Sequence, residues 1–175
     1  MNKEAIANLL EEKHQTLFDW INNQPENVLE KGPEGKWTTG QHIVHLVDSI
    51  QKVNQALSLP AFLLKYKFGK SNREVRPYQE IVKRYQDKLK TNQEKAKAYN
   101  QKVKTPSKEK FKYLLDILQI ENKKLQKKTL RWKDKNLDNL ILPHPLMGKM
   151  PVREIIMWTA YHTEHHYLIL QQKHL

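Results

Sequence analysis

A chain of 175 residues is long enough to bury a core without cross-links, and its lack of cysteine removes disulfides, thiolate zinc sites and a cysteine nucleophile together. Its formal charge of +12, from 31 Lys and Arg against 19 Asp and Glu, favours anions in general. Charged residues early in the chain exclude a signal-peptide core, and no apolar run approaches the roughly 18 residues of a membrane span, so a soluble cytoplasmic protein with no membrane partner is expected.

Lys3 to Asn22 predicts a first helix, with Ile6, Leu9, Leu10, Leu17, Trp20 and Ile21 recurring at three- and four-residue intervals until Asn22, Asn23, Gln24 and Pro25 stop it. A loop with Gly32, Pro33 and Gly35 follows. The second helix opens at Trp37-Thr38-Thr39-Gly40-Gln41, where either threonine can cap, and runs to about Ser58. Ile43, Leu46, Val47, Ile50 and Leu57 define its apolar side, while His45 lies on the other side with Gln41, Asp48, Ser49 and Lys52. By pattern that polar side either faces water or walls a cavity.

Leu59 to Pro77 is a connection unusually long for a bundle, suited to a pocket wall or to a plain crossover. Pro77 then starts a third helix, with Tyr78, Val82, Tyr85, Leu89, Asn92, Ala96 and Tyr99 in heptad-like series. Thr105 and Pro106 serve as cap and first residue of a fourth, whose inner series is Phe111, Leu115, Leu118, Asn122 and Leu125 and whose end falls near Trp132. Lysines thicken on the expected outer faces of these two helices, at Lys83, Lys88, Lys90, Lys95 and Lys97 and at Lys123, Lys124, Lys127 and Lys128. A solvated face accounts for them better than a nucleic-acid footprint.

A turn-rich stretch from Leu142 to Lys149 precedes the last helix, which starts at Pro151. Five helical segments without a strand-period stretch predict an all-α protein, most simply an up-down four-helix bundle core with an additional helix or extended crossover, residues 1–175 forming one domain.

On the last helix a step of about 100° per residue puts Ile155, Trp158, Thr159, His162, His166 and Ile169 on one stripe, so two imidazoles occupy core positions. Two histidines at i and i+4 can converge on a single ion, or they can be hydrogen-bonded core histidines. His162-Thr163-Glu164-His165-His166 is not the zinc-peptidase pattern, because Glu164 is two residues past His162 and turns to the far side of the helix.

Trp37-Thr38-x-x-Gln41-x-x-x-His45-x-x-Asp48-Ser49, combined with His162-x-x-x-His166 at the other end of the chain, resembles the DinB/YfiT-like superfamily of metal-binding helical bundles. His144-Pro145-x-x-Gly148-Lys149 is similar to some of its branches, and the likeness spans nearly the whole chain. It implies three histidine ligands, His45, His162 and His166, around a divalent metal ion, zinc or nickel, with a position left for water. It also implies thiol-dependent transferase or hydrolase chemistry on a small-molecule substrate or low-molecular-weight thiol, and a possible homodimer. By this reading the polar side of the second helix is a cavity wall.

Around those ligands, Asp48 is the candidate for orienting His45 or assisting proton transfer, Gln41 and His144 for lining the substrate pocket, and His165 for the rim behind the ligands. Lys52 belongs at the surface, and His14 and His42 receive no role. A non-catalytic metal- or ligand-binding bundle, and less readily a basic nucleic-acid-associated protein, are the competing readings.

Overall fold

Four helices carry the core. The structure, a computed structural model, describes residues 1–25, 28, 32, 35–93 and 103–173. Helix α1 (Lys3–Asn22) starts at Asn2, whose side chain accepts a hydrogen bond from the Ala5 amide at 2.8 Å, and it buries Ile6, Leu10, Leu17 and Ile21. Helix α2 (Thr39–Ala56) starts with a reciprocal capping box: the Thr38 hydroxyl accepts from the Gln41 amide at 3.2 Å, and the Gln41 side-chain oxygen accepts from the Thr38 amide at 2.9 Å. Two free amides are satisfied where the chain turns inward.

After α2 come α3 (Ala61–Phe68), α4 (Tyr78–Thr91), α5 (Lys108–Arg131) and α6 (Asp134–Asn139). A hairpin of β1 (Ile141–His144) and β2 (Gly148–Pro151) then leads into α7 (Val152–Lys173). Helix α2 packs along α5, α5 along α1, α1 along α7, and α7 closes the ring on α2. Helix α4 lies outside this ring against α7. The protein is an all-α bundle with a four-helix core, as expected.

Four details correct the reading of the sequence. The connection from Leu59 to Pro77 contains α3, a helix of two turns that turns only Leu64 fully inward and so leaves no long apolar period. The turn-rich stretch folds into an antiparallel hairpin in which His144 pairs with Gly148 across Pro145-Leu146-Met147; Gly148, at φ 75°, takes the left-handed conformation that closes so short a turn. Helix α6, one and a half turns long, fits between α5 and the hairpin. The cap of α5 is Ser107, which accepts from the Lys110 amide at 3.4 Å, and not Thr105. In α4 the buried positions are Ile81 and Tyr85, while Ala96 and Tyr99 of the expected series and Lys95 and Lys97 lie outside the described residues.

Helix α7 is the centre of the molecule. Every residue from Pro151 to Thr163 is buried, because α1, α2, α4, α6 and the hairpin surround its first half. Glu154, fully buried there, accepts from both terminal nitrogens of Arg73 at 2.5 and 2.7 Å and from the Arg76 amide at 2.8 Å, so the segment after α3 is tied to the start of α7. Among the described residues no helix is long and apolar enough to cross a membrane.

Candidate metal centre

The seam between α2 and α7 brings four imidazoles together. His45 lies one turn beyond the capping box, on the side of α2 that meets α7, and His162 and His166 follow at i and i+4 on the facing helix. The Nε2 atoms of His45 and His162 are 3.0 Å apart, and those of His166 and His162 are 3.1 Å apart. One ligand nitrogen from each of the three lies within 4.8 Å of the others. His162 and His166 are buried and His45 is half-buried.

Aromatic rings fix these imidazoles in place. Trp158 stacks on His162 at 4.4 Å between centroids, Trp37 stacks on His166 at 6.0 Å, and Trp37 also lies 5.1 Å from the His45 ring. Tyr85 reaches in from α4, edge-on to both His162 and His165. Burial in this ring-lined space lowers the His45 pKa to about 4, the nearby Asp48 charge only partly opposing it. His162 and His166 are held well below the ordinary histidine value, first by burial and then by neighbouring imidazoles. All three are therefore neutral near pH 7, the protonation state in which imidazole ligates.

Three lone-pair nitrogens that face one another repel unless a proton or a cation sits between them. Zinc–nitrogen bonds of about 2.0–2.1 Å at tetrahedral angles separate ligand nitrogens by roughly 3.3 Å. Two of the three separations, 3.0 and 3.1 Å, open by a few tenths of an ångström to match that, and the third, between His45 and His166, lies within 4.8 Å. The donor set fits a divalent ion, and among the described residues this cluster supplies three ligands and no fourth.

His42 completes the arrangement. Its Nδ1 is 2.7 Å from Nδ1 of His166, both rings are buried, and the contact needs one proton. Were Nε2 of His166 to ligate an ion, that proton would belong on His166 Nδ1 and be donated to His42, which would fix the His166 tautomer and ring orientation. Sequence pattern alone assigns His42 no role. Its signal is the i,i+3 spacing from His45, which sets it on the border between the polar and apolar sides of α2, where a facing helix meets it.

The remaining candidates fall at different distances from this point. Asp48 binds Lys52 at 2.6 Å in an exposed pair and acts on His45 through its charge. Gln41 is held in the capping box and donates to the Val103 carbonyl at 2.5 Å, which joins the start of α2 to the segment before α5. His144 is buried; its Nδ1 accepts from the Leu146 and Met147 amides, and its ring meets Trp158 edge-on at 4.2 Å, one ring removed from His162. His165 is half-buried between Tyr85 and Tyr161, its ring 5.3 Å from that of His166. His14, also without a predicted role, is buried: Nδ1 donates to the Leu10 carbonyl at 2.8 Å, leaving Nε2 as an acceptor toward the Thr163 hydroxyl at 3.3 Å. Glu164 pairs with Lys13 of α1 at 2.8 Å, consistent with its place on the far side of the helix.

The family model of the DinB superfamily matches residues 9–170, a span that takes in α2, the hairpin and all of these histidines. No curated protein and no solved structure matches the chain.

Proposed function

From the premise that the chain belongs to the DinB superfamily, we propose that it is a divalent-metal-dependent enzyme, a transferase or hydrolase whose ligands are His45, His162 and His166. The observation that carries this reading is the convergence of three neutral imidazole nitrogens from two helices, with no fourth protein ligand among the described residues. A bound zinc or nickel ion would supply Lewis acidity toward a water or a low-molecular-weight thiol in the place left open.

The chain's own residues do the rest. His42 holds His166 in its ligating tautomer, and the stacked Trp158 and Trp37 keep the rings from swinging. Asp48 biases the charge at His45, His144 backs the Trp158 ring that stacks on His162, and Gln41 joins the start of α2 to the segment before α5. Cytoplasmic thiols are the co-substrates this chemistry would use.

One feature favours a second reading, a bundle that binds the ion without turnover: Trp37, Trp158 and Tyr85 pack directly against the histidines and narrow the approach to them. Metal analysis of tag-free protein separates the readings. The proposal expects one equivalent of zinc or nickel, lost in His162→Ala, with thiol transfer or ester hydrolysis restored when the metal is returned. Uptake without turnover in such a screen supports the binding module, and an absence of uptake defeats both.

A further inference from the structure

Helix α3 presents an apolar face to solvent. Leu64 turns inward and is fully buried, while Phe62 is 74% exposed, Tyr66 is 90% exposed and Leu63 is 37% exposed. Phe62 and Tyr66 stand at i and i+4, so their rings share one side of the helix, with Leu63 next to them. Leaving two aromatic side chains in water at adjacent positions forgoes the burial they would gain elsewhere.

The chain on both sides of that face is basic. From Ser49 to Arg73 the sequence has no acidic residue. Lys65, Lys67 and Lys70 are exposed, and Lys149 reaches from β2 to donate to the Phe68 carbonyl at 3.3 Å. Directly after the helix, Lys70, Arg73 and Lys149 line a recess of about 300 Å³. Arg73 is held by Glu154, which leaves two lysines there for an anion.

We propose that α3 is a docking surface for an anionic lipid bilayer, Phe62, Leu63 and Tyr66 entering the headgroup boundary while Lys65, Lys67, Lys70 and Lys149 meet lipid phosphates. Aromatic and aliphatic side chains backed by lysines are what an interfacial helix requires, and each lysine adds attraction to a negatively charged leaflet. A second copy of the chain is a poorer occupant, because a two-fold contact through this face would bring the lysines of both copies together. Hydropathy had suggested no membrane partner, but it detects spans; a two-turn helix lying on the surface escapes it.

Co-sedimentation tests the proposal, using metal-loaded full-length protein with vesicles of phosphatidylcholine alone and of phosphatidylcholine mixed with phosphatidylglycerol. Binding is expected to the mixed vesicles only and to weaken with salt. Phe62→Ser combined with Tyr66→Ser should cut it at least tenfold, and Lys65→Glu with Lys67→Glu about fivefold or more for each lysine. Both double variants alter exposed side chains, so melting temperature and metal uptake should stay at the wild-type level. Any one of three results would overturn the inference: no retention on anionic vesicles, equal retention of the Phe62/Tyr66 variant, or a wild-type dimer by light scattering that this variant converts to monomer. Retention by single-stranded DNA in place of vesicles would do the same, reassigning the face to nucleic acid.

Discussion

The two ends of the buried part of α7 handle polar groups in opposite ways. At its start Glu154 is charged and fully paired, its two carboxylate oxygens taken up by Arg73 and by the amide and guanidinium of Arg76. At its end His162 and His166 are uncharged, and among the described residues their Nε2 atoms face each other and His45. A closed network of this kind fixes a chain segment. Converging imidazole nitrogens have their ligating lone pairs turned inward in the tautomer that leaves them unprotonated, and that is the arrangement a cation completes.

The sharpest way to break the comparison is at the closed end. Replacing Glu154 with Ala leaves two guanidinium groups beside an emptied, apolar position. Losing one partner of a buried ion pair costs about 3–5 kcal/mol, and because Arg73 and Arg76 are partly exposed and can recover some hydration, we expect about 3 kcal/mol. Urea unfolding measures this directly. Zinc uptake in the folded fraction should match wild type, since Glu154 sits about two turns of α7 before His162.

Acid should loosen the histidine end. Burial lowers the His14 pKa to about 4, against 6.5 in the unfolded chain, so between those values the unfolded state binds the extra proton. The stability this neutral ring contributes is complete above pH 6.5 and is lost as pH falls toward 4. At pH 5 the loss from His14 is about 2 kcal/mol. In metal-free protein, His14→Gln should reduce by about that amount the fall in unfolding free energy between pH 7 and pH 5. An unchanged difference would mean that His14 is already protonated in the fold.

How much of this arrangement the sequence discloses depends on the length of each signal. Helices of four or more turns, such as α1 and α5, repeat their apolar period often enough to be read, and the stripe holding His162 and His166 survives in α7. Helices α3 and α6 and the hairpin are too short for a period; they form because their neighbours bury Leu64, Leu137 and Met150. The likeness to a family carried His45, since pattern alone left its side of α2 open to water. His42 was missed because a wheel drawn on one helix assigns a border residue to neither side, and only the facing α7 decides. The stacking of Trp158 on His162 is a consequence of their i,i+4 spacing, visible in the sequence but easily taken for core alone.

That missed residue provides the next test. If His42 positions His166, then His42→Phe should keep the ring packing against Trp37 and remove the acceptor for the His166 proton. Loss of such a supporting hydrogen bond weakens metal binding about 10–100-fold. Competition against a chromophoric chelator measures it, and a matching melting temperature for the metal-free variant separates lost ligation from lost fold. An affinity equal to wild type would show that the stacked Trp37 suffices to orient His166.

The smallest effect should come from Asp48, the carboxylate nearest to His45 in the sequence pattern. Its partner Lys52 is exposed, and exposed i,i+4 pairs contribute about 0.3–0.5 kcal/mol, so Asp48→Asn should barely move the unfolding midpoint. Its effect on the ion is also indirect. The carboxylate raises the proton affinity of His45 through its charge, and on an exposed face salt screens such an influence over roughly 10 Å at 0.1 M. Zinc affinity of Asp48→Asn should therefore drop by less than that of His42→Phe, and the difference from wild type should shrink as salt is added. A loss as large as that of His42→Phe, persisting at high salt, would instead mean that Asp48 holds the His45 ring by a direct hydrogen bond, as His42 holds that of His166.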